Sequence, residues 1–354
     1  MKRKIVVAMS GGVDSSVAAA LLKRQGHEVI GISLQLWDYG AGDRFGTCCS
    51  LDDLADARRV ADKLEMPFYI LNMEKEFKED VVDYFVSEYR QGRTPIPCTL
   101  CNQKVKFDRL MERAEILGCD FLATGHYASV VRDGSGRLTI RRGRDRHKDQ
   151  SYFLFNLSQE QIRRLMFPLG DMEKQEVRGL ARDLGLRVAE KSESQEICFV
   201  PDNDYAEFLA QQSDAEIFTE GPVVDAAGNA LGTHKGFAAY TVGQRKGLNL
   251  GGLSEPYFVT GIDAKRNKIT VGPKRETLRK EFFVDRVNWC LEPDTAPRAA
   301  VQIRSHHRAA TAHLTPLAGG RAQVVFDEPQ LAVAPGQAAV FYRNDCIVGG
   351  GWIE

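Results

Sequence analysis

The residues with the greatest chemical potential lie near the start of the chain. Ser10-Gly11-Gly12-Val13-Asp14-Ser15-Ser16 follows a short apolar run at residues 5–9 and opens a segment rich in helix formers, residues 13–24. Two glycines let the backbone approach an oxyanion closely, and a helix starting there directs N–H groups and its positive dipole end at it. Ser10, Ser15 and Ser16 add hydroxyl donors, and Asp14 offers a carboxylate for a Mg²⁺ bridging phosphate oxygens. There is no Gly-Lys-Ser/Thr, so this is not the Walker A loop of kinases and GTPases. A capped helix after a glycine turn would explain two or three of these residues; the full heptad after a strand points to nucleotide binding.

The cysteines are the second chemical signal. Eight are present, at 48, 49, 98, 101, 119, 198, 290 and 346. In Pro95-Ile96-Pro97-Cys98-Thr99-Leu100-Cys101-Asn102, Cys101 precedes a candidate helix starting near Gln103. Amides at that N-terminus, with Lys104 or Lys106, would depress a thiol pKa and supply thiolate. Cys198 stands between Ile197 and Phe199, where a cysteine ordinarily serves as a small buried hydrophobe. Cys98-x-x-Cys101 has three readings: half of a zinc site lacking its second half, a redox pair, or an iron–sulfur site with Cys198 as third ligand. Adjacent Cys48 and Cys49 are poorly spaced for one metal, and Cys119, Cys290 and Cys346 fall in β-like runs as packing residues.

The elements that must position these groups change character along the chain. Apolar runs at residues 28–36, 68–71 and 120–124 alternate with helical patterns at 52–64, 77–90 and 105–117. Buried runs between amphipathic helices imply a doubly wound α/β domain with a parallel sheet, its ligand at the carboxyl ends of the strands. Beyond about residue 200, residues 221–261 are glycine-rich with little helical period, and residues 237–252 resemble a glycine-rich loop. From residue 282 short β-like stretches separated by turns predict a small antiparallel barrel or sandwich. The expected domains are a catalytic domain over 1–203, a small central domain over 204–275 and a β-barrel over 276–354.

Six motifs occur in one order: the phosphate loop, the Cys98–Cys101 motif, Ala123-Thr-Gly-His-Tyr127, Lys148-Asp-Gln-Ser-Tyr-Phe153, Ser194-Gln-Glu-Ile-Cys-Phe199 and Thr241-Val-Gly-Gln-Arg-Lys-Gly247. Ser-Gly-Gly-Val-Asp-Ser resembles the pyrophosphate loop of enzymes that cleave ATP to AMP and pyrophosphate, and the six together resemble the tRNA-specific 2-thiouridylase family. The resemblance implies a PP-loop pyrophosphatase domain, a small central domain and a C-terminal antiparallel β-barrel. It implies adenylation of the C2 oxygen of the wobble uridine, in tRNAs of the lysine, glutamate and glutamine type, then replacement of that oxygen by persulfide sulfur. It places the ATP phosphates at Ala8, Met9, Ser10, Gly11, Gly12, Val13, Asp14 and Ser15, and adenosine at Leu34 and Gly125. By the same resemblance Cys198 carries the persulfide and Cys101 attacks the bound sulfur, leaving a transient Cys101–Cys198 disulfide. Ile96, Pro97 and Cys98 would meet the target base, His126, Lys148, Asp149 and Gln150 the tRNA, and Arg304, Ser305 and Gln337 would be barrel contacts. The sulfur donor implied is a cysteine desulfurase or a relay protein. Three positions depart from the common pattern: Ile96 and Cys98 stand where many members have asparagine and aspartate, removing a carboxylate that could deprotonate the uridine, though a Cys-x-x-Cys form also occurs in the family, and Ser305 replaces a tyrosine.

Read alone, His126 is a buried histidine at a strand end, and Lys148-Asp149-Gln150 a solvated turn. Charge narrows the partner class. The chain of 354 residues has 47 Lys and Arg against 48 Asp and Glu, a net charge of −1. That balance hides a base excess of five over residues 131–148 and of seven over 235–280, beside an acidic stretch at 51–90. Basic excess in glycine-containing, non-helical segments suits a polyphosphate partner such as tRNA. No stretch is long and apolar enough for a membrane span or a signal-peptide core, and the sparse cysteines suit the cytosol. Two rival functions use fewer of these features. A small-molecule synthetase needs neither Cys101 nor Cys198, and a cluster-bearing RNA-binding protein need not cleave ATP.

Overall fold

Strand β1 (Lys4–Ala8) buries Ile5, Val6 and Val7 completely, as a strand covered on both faces must. Around it the computed structural model describes residues 1–37, 51–192, 197–212, 215–252, 254–292 and 297–354. Cys48, Cys49 and positions 194–196 of the Cys198 motif lie outside these residues. The chain divides into two compact units. One comprises Met1–Val81, Cys98–Phe199 and Asn344–Ile347; the other comprises Val82–Pro97, Val200–Arg343 and Val348–Glu354.

The first unit is doubly wound. After β1 come helix α1 (Val13–Arg24), β2 (Glu28–Gln35), helix α2 (Leu51–Lys63) and β3 (Phe68–Asn72). They are followed by β4 (Phe121–Ala123), the antiparallel hairpin β5 (Ala128–Arg132) and β6 (Leu138–Arg142), β7 (Leu165–Met166) and helix α3 (Lys174–Asp183). Five strands form a parallel sheet in the order β3-β2-β1-β4-β7. The chain winds outward through β2 and β3, then returns to the other side of β1 at β4. Strand order therefore reverses at β1, and ligands of such sheets bind beyond the carboxyl ends of the strands at that reversal. Helix α1 buries Val17, Ala18, Ala19 and Leu22 in the core; Val17 and Leu22 contribute roughly 1.5–3 kcal/mol each. Helix α2 turns Ala57, Val60 and Ala61 to the same core, the spacing of one helical face.

The fold departs from the sequence expectation in three places. The helix expected at 105–117 begins earlier, as an α-turn at Pro97–Leu100, a π-type stretch at Cys101–Arg109 and an α-helix at Leu110–Ile116. Cys101 is thus inside a helical run and not ahead of one. The basic segment around residue 140 is the β5–β6 hairpin. The glycine-rich centre, in the second unit, holds a four-stranded sheet in the order β10-β11-β8-β9. Its strands are β8 (Gly221–Val224), β9 (Ala230–His234), β10 (Tyr257–Asp263) and β11 (Lys268–Pro273), and Val223, Val259, Ile269 and Val271 are buried.

The second unit also contains the expected barrel. Its strands are β12 (Leu278–Trp289), β13 (Arg298–Gln302), β14 (Ala310–Leu317), β15 (Arg321–Leu331), β16 (Ala338–Arg343) and β17 (Cys346–Ile353). They run β12-β15-β14-β13-β16-β17, and antiparallel pairing of β17 with β12 closes the circle. Phe282, Val301, Val324, Phe326, Phe341 and Val348 fill it. Closure leaves no sheet edge between these strands. No helix among the described residues is long and apolar enough to cross a membrane.

Candidate active site

A cavity of about 220 Å³ opens in the first unit where the strand order reverses. Ala8, Met9, Ser10, Asp14 and Ser15 line one side. Ile32, Leu34 and Leu36, alternate residues along one face of the chain at β2, supply an apolar wall. Thr124, Gly125 and His126, immediately after β4, supply another side, with Gln150 and Lys106. Cys101 and Cys198 line the same cavity. The loop, Leu34, Gly125, Cys101 and Cys198, separated by up to 190 positions in sequence, therefore share one space.

The phosphate loop is held from several directions. Gly12 is the N-cap of α1 with extended backbone, and its carbonyl accepts from Ser16 Oγ at 2.8 Å and Ser15 Oγ at 3.3 Å. Ser16 is fully buried, so its hydroxyl belongs to the loop and is not a phosphate donor as the sequence suggested. Ser15 Oγ also accepts from the Ser10 N–H at 3.2 Å, bending the loop back on its own helix. Gly11 has φ +73°, and a Cβ there would collide with the Asp53 backbone on α2. At Gly125 a Cβ would lie 2.7 Å from Ser15 N, so the chain after β4 rests on the loop with no room for a side chain.

Asp14 has a different set of partners from those expected. Lys174 Nζ, from α3, donates to both carboxylate oxygens at 2.8 Å, and Tyr127 Oη donates to Oδ1 at 2.8 Å. The same ammonium lies 5.8 Å from the centre of the Tyr127 ring. A carboxylate already neutralised by a buried ammonium does not fit as a standing ligand for Mg²⁺. Among the described residues no three His, Cys, Asp or Glu side chains come together as a metal site. Cys98 is exposed and outside the cavity lining, whereas Cys101 is buried within it.

His126 is both structural and open to the cavity. Its Nδ1 lies 2.6 Å from Thr124 Oγ1, which also accepts the His126 backbone N–H at 3.4 Å. The network is satisfied when the hydroxyl donates to Nδ1, which assigns the ring proton to Nε2. Phe107 and Phe167 pack against the ring. Burial, with the Lys106 cation adding to it, pushes the histidine pKa down to about 3. A histidine kept neutral in the fold but protonated when unfolded stabilises fully above its ordinary value near 6.5. That stabilisation falls as the pH drops from 6.5 toward 3. Thermal melts of His126→Asn should accordingly lose less Tm than the parent between pH 7 and pH 5; equal losses would contradict the assignment.

Other expected contacts are used by the fold. Asp149 accepts from Arg142 Nη1 at 2.7 Å, Gly143 N at 3.0 Å, Ser151 N at 3.1 Å and Ser151 Oγ at 3.0 Å. Its side chain closes the turn after β6. Of Lys148, Asp149 and Gln150, only Gln150 reaches the cavity, its Oε1 accepting the Tyr127 N–H at 3.1 Å. The arginines at the end of the hairpin and just beyond it are compensated: Arg141 pairs with Asp171, Arg142 with Asp149, Arg144 with Glu173 and Glu176, and Arg146 with Asp345.

In the second unit, Gln337 Nε2 donates to Thr94 O at 2.9 Å and Thr94 N donates to Pro335 O at 2.8 Å. The barrel thereby holds the segment leading to Ile96 and Pro97. Arg304 Nη1 donates to Leu331 O at 3.2 Å, and exposed Ser305 offers its carbonyl to Gln302 Nε2 at 2.9 Å.

Sequence reasoning missed Lys174 and Lys191. Lys191 Nζ donates to Asp53 Oδ1 and Asp56 Oδ2, both at 2.6 Å, and to the Gly11 carbonyl at 3.2 Å. Burial disfavours the charge on Lys191, but bonds to Asp53 and Asp56 outweigh it and raise the pKa. At Asp56 burial is likewise outweighed, by Lys191 and Arg59, and the pKa is lowered. Neither lysine carries a local motif.

Comparison with known proteins matches this architecture along the whole chain. A family model described as the tRNA methyl transferase HUP domain matches residues 3–202. The tRNA methyl transferase PRC-barrel domain matches 206–273, and the aminomethyltransferase beta-barrel domain matches 279–353. The tRNA-specific 2-thiouridylase MnmA of Geobacter metallireducens is 55% identical over 359 residues, covering 100% of this chain and 97% of that protein. Its counterpart in Geotalea uraniireducens is 53% identical, covering 100% and 95%, and that of Solibacter usitatus is 48% identical, covering 100% of both. With half or more of its residues shared end to end with two such proteins, the chain belongs to the tRNA-specific 2-thiouridylase family.

Proposed function

We propose that the chain is a tRNA sulfurtransferase that thiolates C2 of the wobble uridine at the expense of ATP. The observation that carries this reading is the lining of one cavity by the phosphate loop and by both Cys101 and Cys198. ATP phosphates would lie on the loop N–H groups and the α1 N-terminus, with adenosine against the Leu34 wall and the tight contact at Gly125. Glycine at 125 lets the chain after β4 rest directly on the Asp14–Ser15 backbone of the loop. Any Mg²⁺ would travel with the phosphates, since Asp14 is engaged by Lys174.

Attack of the uridine C2 oxygen on the α-phosphate expels pyrophosphate and makes that oxygen a leaving group. The terminal sulfur of a Cys198 persulfide then adds to C2, loses its proton, and AMP departs with the oxygen. Cys101 thiolate attacks Cys198 Sγ, the bond from Cys198 to the product sulfur breaks, and 2-thiouridine is released. The resulting Cys101–Cys198 disulfide is opened by two electrons from a thiol reductant. Exposure supports these roles. Half-buried Cys198 can receive sulfur from a cysteine desulfurase or relay protein, whereas Cys101, 6% exposed, can attack only from inside.

The test is stoichiometry. Protein, ATP, unmodified tRNA, thiol and a persulfide-bearing donor should yield 2-thiouridine, AMP and pyrophosphate in equal amounts, with no AMP when tRNA is omitted. Formation of AMP with a small acceptor in place of tRNA would favour the synthetase reading. Binding of tRNA without any AMP would favour a binding protein.

A further inference from the structure

Cys101 is the buried thiol of the cavity, and burial works against its use. An ordinary thiol is only a few per cent ionised at neutral pH, and taking a thiolate out of water lowers that fraction further. Two of the helpers expected from the sequence are elsewhere. Cys101 lies within a helical run, so the amides of a following helix N-terminus are not aimed at it. Lys104 is exposed and pairs with Asp108 at 3.7 Å.

The helix itself supplies a third. Over Cys101–Arg109 its backbone bonds reach one residue further than in an α-helix, as where the Leu110 N–H meets the Val105 carbonyl five positions back. Residues five apart therefore stand about one turn apart, whereas α-helical spacing would set them roughly 140° round the axis from each other. Lys106 is five residues from Cys101, and both line the cavity. Lys106 Nζ donates to Asn102 Oδ1 at 3.0 Å, and Asn102, itself buried, donates from Nδ2 to Phe153 O at 3.2 Å. A neutral amide steers the ammonium without discharging it.

The other titratable groups around this space do not take the role. His126 is neutral, with Nδ1 occupied by Thr124 and its proton on Nε2, so it has no lone pair for the thiol proton. Asp14 is engaged by Lys174 and Tyr127. Glu74, on the short helical turn Glu74–Phe77 packed against this stretch, accepts from Gln35 Nε2 at 2.7 Å. Lys106 is the one cation among the described residues that line the cavity.

Resting on the reading of Cys101 given above, we propose that Lys106 is the counter-cation that keeps Cys101 ionised, so that the thiol proton leaves to solvent before the attack on Cys198 Sγ. Lys106 acts through Cys101 and is a positioning residue for its charge. The wide helical turn is what delivers it to the thiol's side of the helix.

The experiment reads the thiol directly and needs no turnover. Reduced full-length protein is treated with iodoacetamide between about pH 5 and pH 10, and alkylation of Cys101 is followed by peptide mass spectrometry. The parent midpoint should lie below the free-thiol value of about 8.5, and Lys106→Met should raise it by about 1–3 pH units. Lys106→Gln, which keeps a donor for Asn102, should shift it likewise and guards against a methionine variant that fails to fold. Lys106→Arg should stay near the parent. Lys104→Met, which removes an equal charge from the same helix, should leave the midpoint in place. A parent midpoint at or above about 8.5, no shift on losing Lys106, or an equal shift on losing Lys104 would each overturn the proposal. With tRNA, ATP and a persulfide donor, Lys106→Met should hold a Cys198–tRNA disulfide at neutral pH that clears in mild alkali, whereas Cys101→Ala holds it in both. If the alkylation shift is found but Cys101→Ala holds no tRNA, the counter-cation stands and the use assigned to the thiolate fails.

Discussion

Cys198→Ala protein should make no measurable 2-thiouridine while still releasing pyrophosphate from ATP in the presence of tRNA. The phosphate loop keeps its own bonds, from Ser15 and Ser16 to Gly12 and from Ser10 to Ser15, when the thiol is removed, so adenylation should continue. The loss should exceed about a thousandfold, as expected when a covalent nucleophile is removed. Cys101→Ala should behave differently. Persulfide transfer to C2 can proceed, but the thiol that releases the product is missing, so tRNA should remain attached to Cys198 through a disulfide. A non-reducing gel would show a covalent protein–tRNA band, abolished by dithiol, with the Cys101 variant and not with the Cys198 variant. Undiminished thiolation by both variants would refute the persulfide mechanism and return attention to the small-molecule synthetase.

Lys174→Met is the second large effect. A carboxylate in the first turn of α1 would repel a polyphosphate approaching the same helix N-terminus. Lys174 cancels that charge with two bonds at 2.8 Å, and Tyr127 holds the carboxylate in place. Removing the ammonium leaves Asp14 charged beside the phosphates. ATP-dependent pyrophosphate release should fall by about 100-fold or more, as for loss of a preorganised electrostatic group. Stability should fall by about 2 kcal/mol, below the usual cost of breaking a buried pair because the Asp14 side chain keeps 32% of its exposure. Combining Lys174→Met with Asp14→Asn should recover much of the stability and part of the pyrophosphate release, since no lone charge remains beside the phosphates. Retention of parental activity by Lys174→Met, measured as pyrophosphate release and KM for ATP, would show that Asp14 needs no counter-charge.

The parts of the site legible in the sequence are those encoded locally. A glycine–serine heptad after an apolar run specifies strand, turn and helix within about fifteen residues, and the structure holds β1, the loop and α1 in that order. Leu34 and Gly125 were reached through the resemblance, and both line the cavity. Lys174 and Lys191 were not legible because their partners are 160 and up to 180 residues away, and a lysine beside a helix looks like any solvated lysine. The helical run containing Cys101 starts earlier than the apolar spacing at 105–117 shows, because its first turn, Pro97–Leu100, is short and proline is well tolerated there. The hairpin at 128–142 carried alternating Val130, Leu138 and Ile140 around an Asp-Gly turn, but its arginines drew the reading toward a basic loop. In the glycine-rich centre the strands are short and their buried valines and isoleucines scattered, so neither period stood out.

The compensated arginines of the β5–β6 hairpin bear on how the protein finds its substrate. Each cation already matched by Asp149, Asp171, Asp345 or the glutamates of α3 is one fewer available to displace counterions from a passing nucleic acid. Such a surface rewards an RNA little for simply being a polyanion. An RNA drawn here by its phosphates alone would displace few counterions, so the salt dependence of binding should owe little to these arginines.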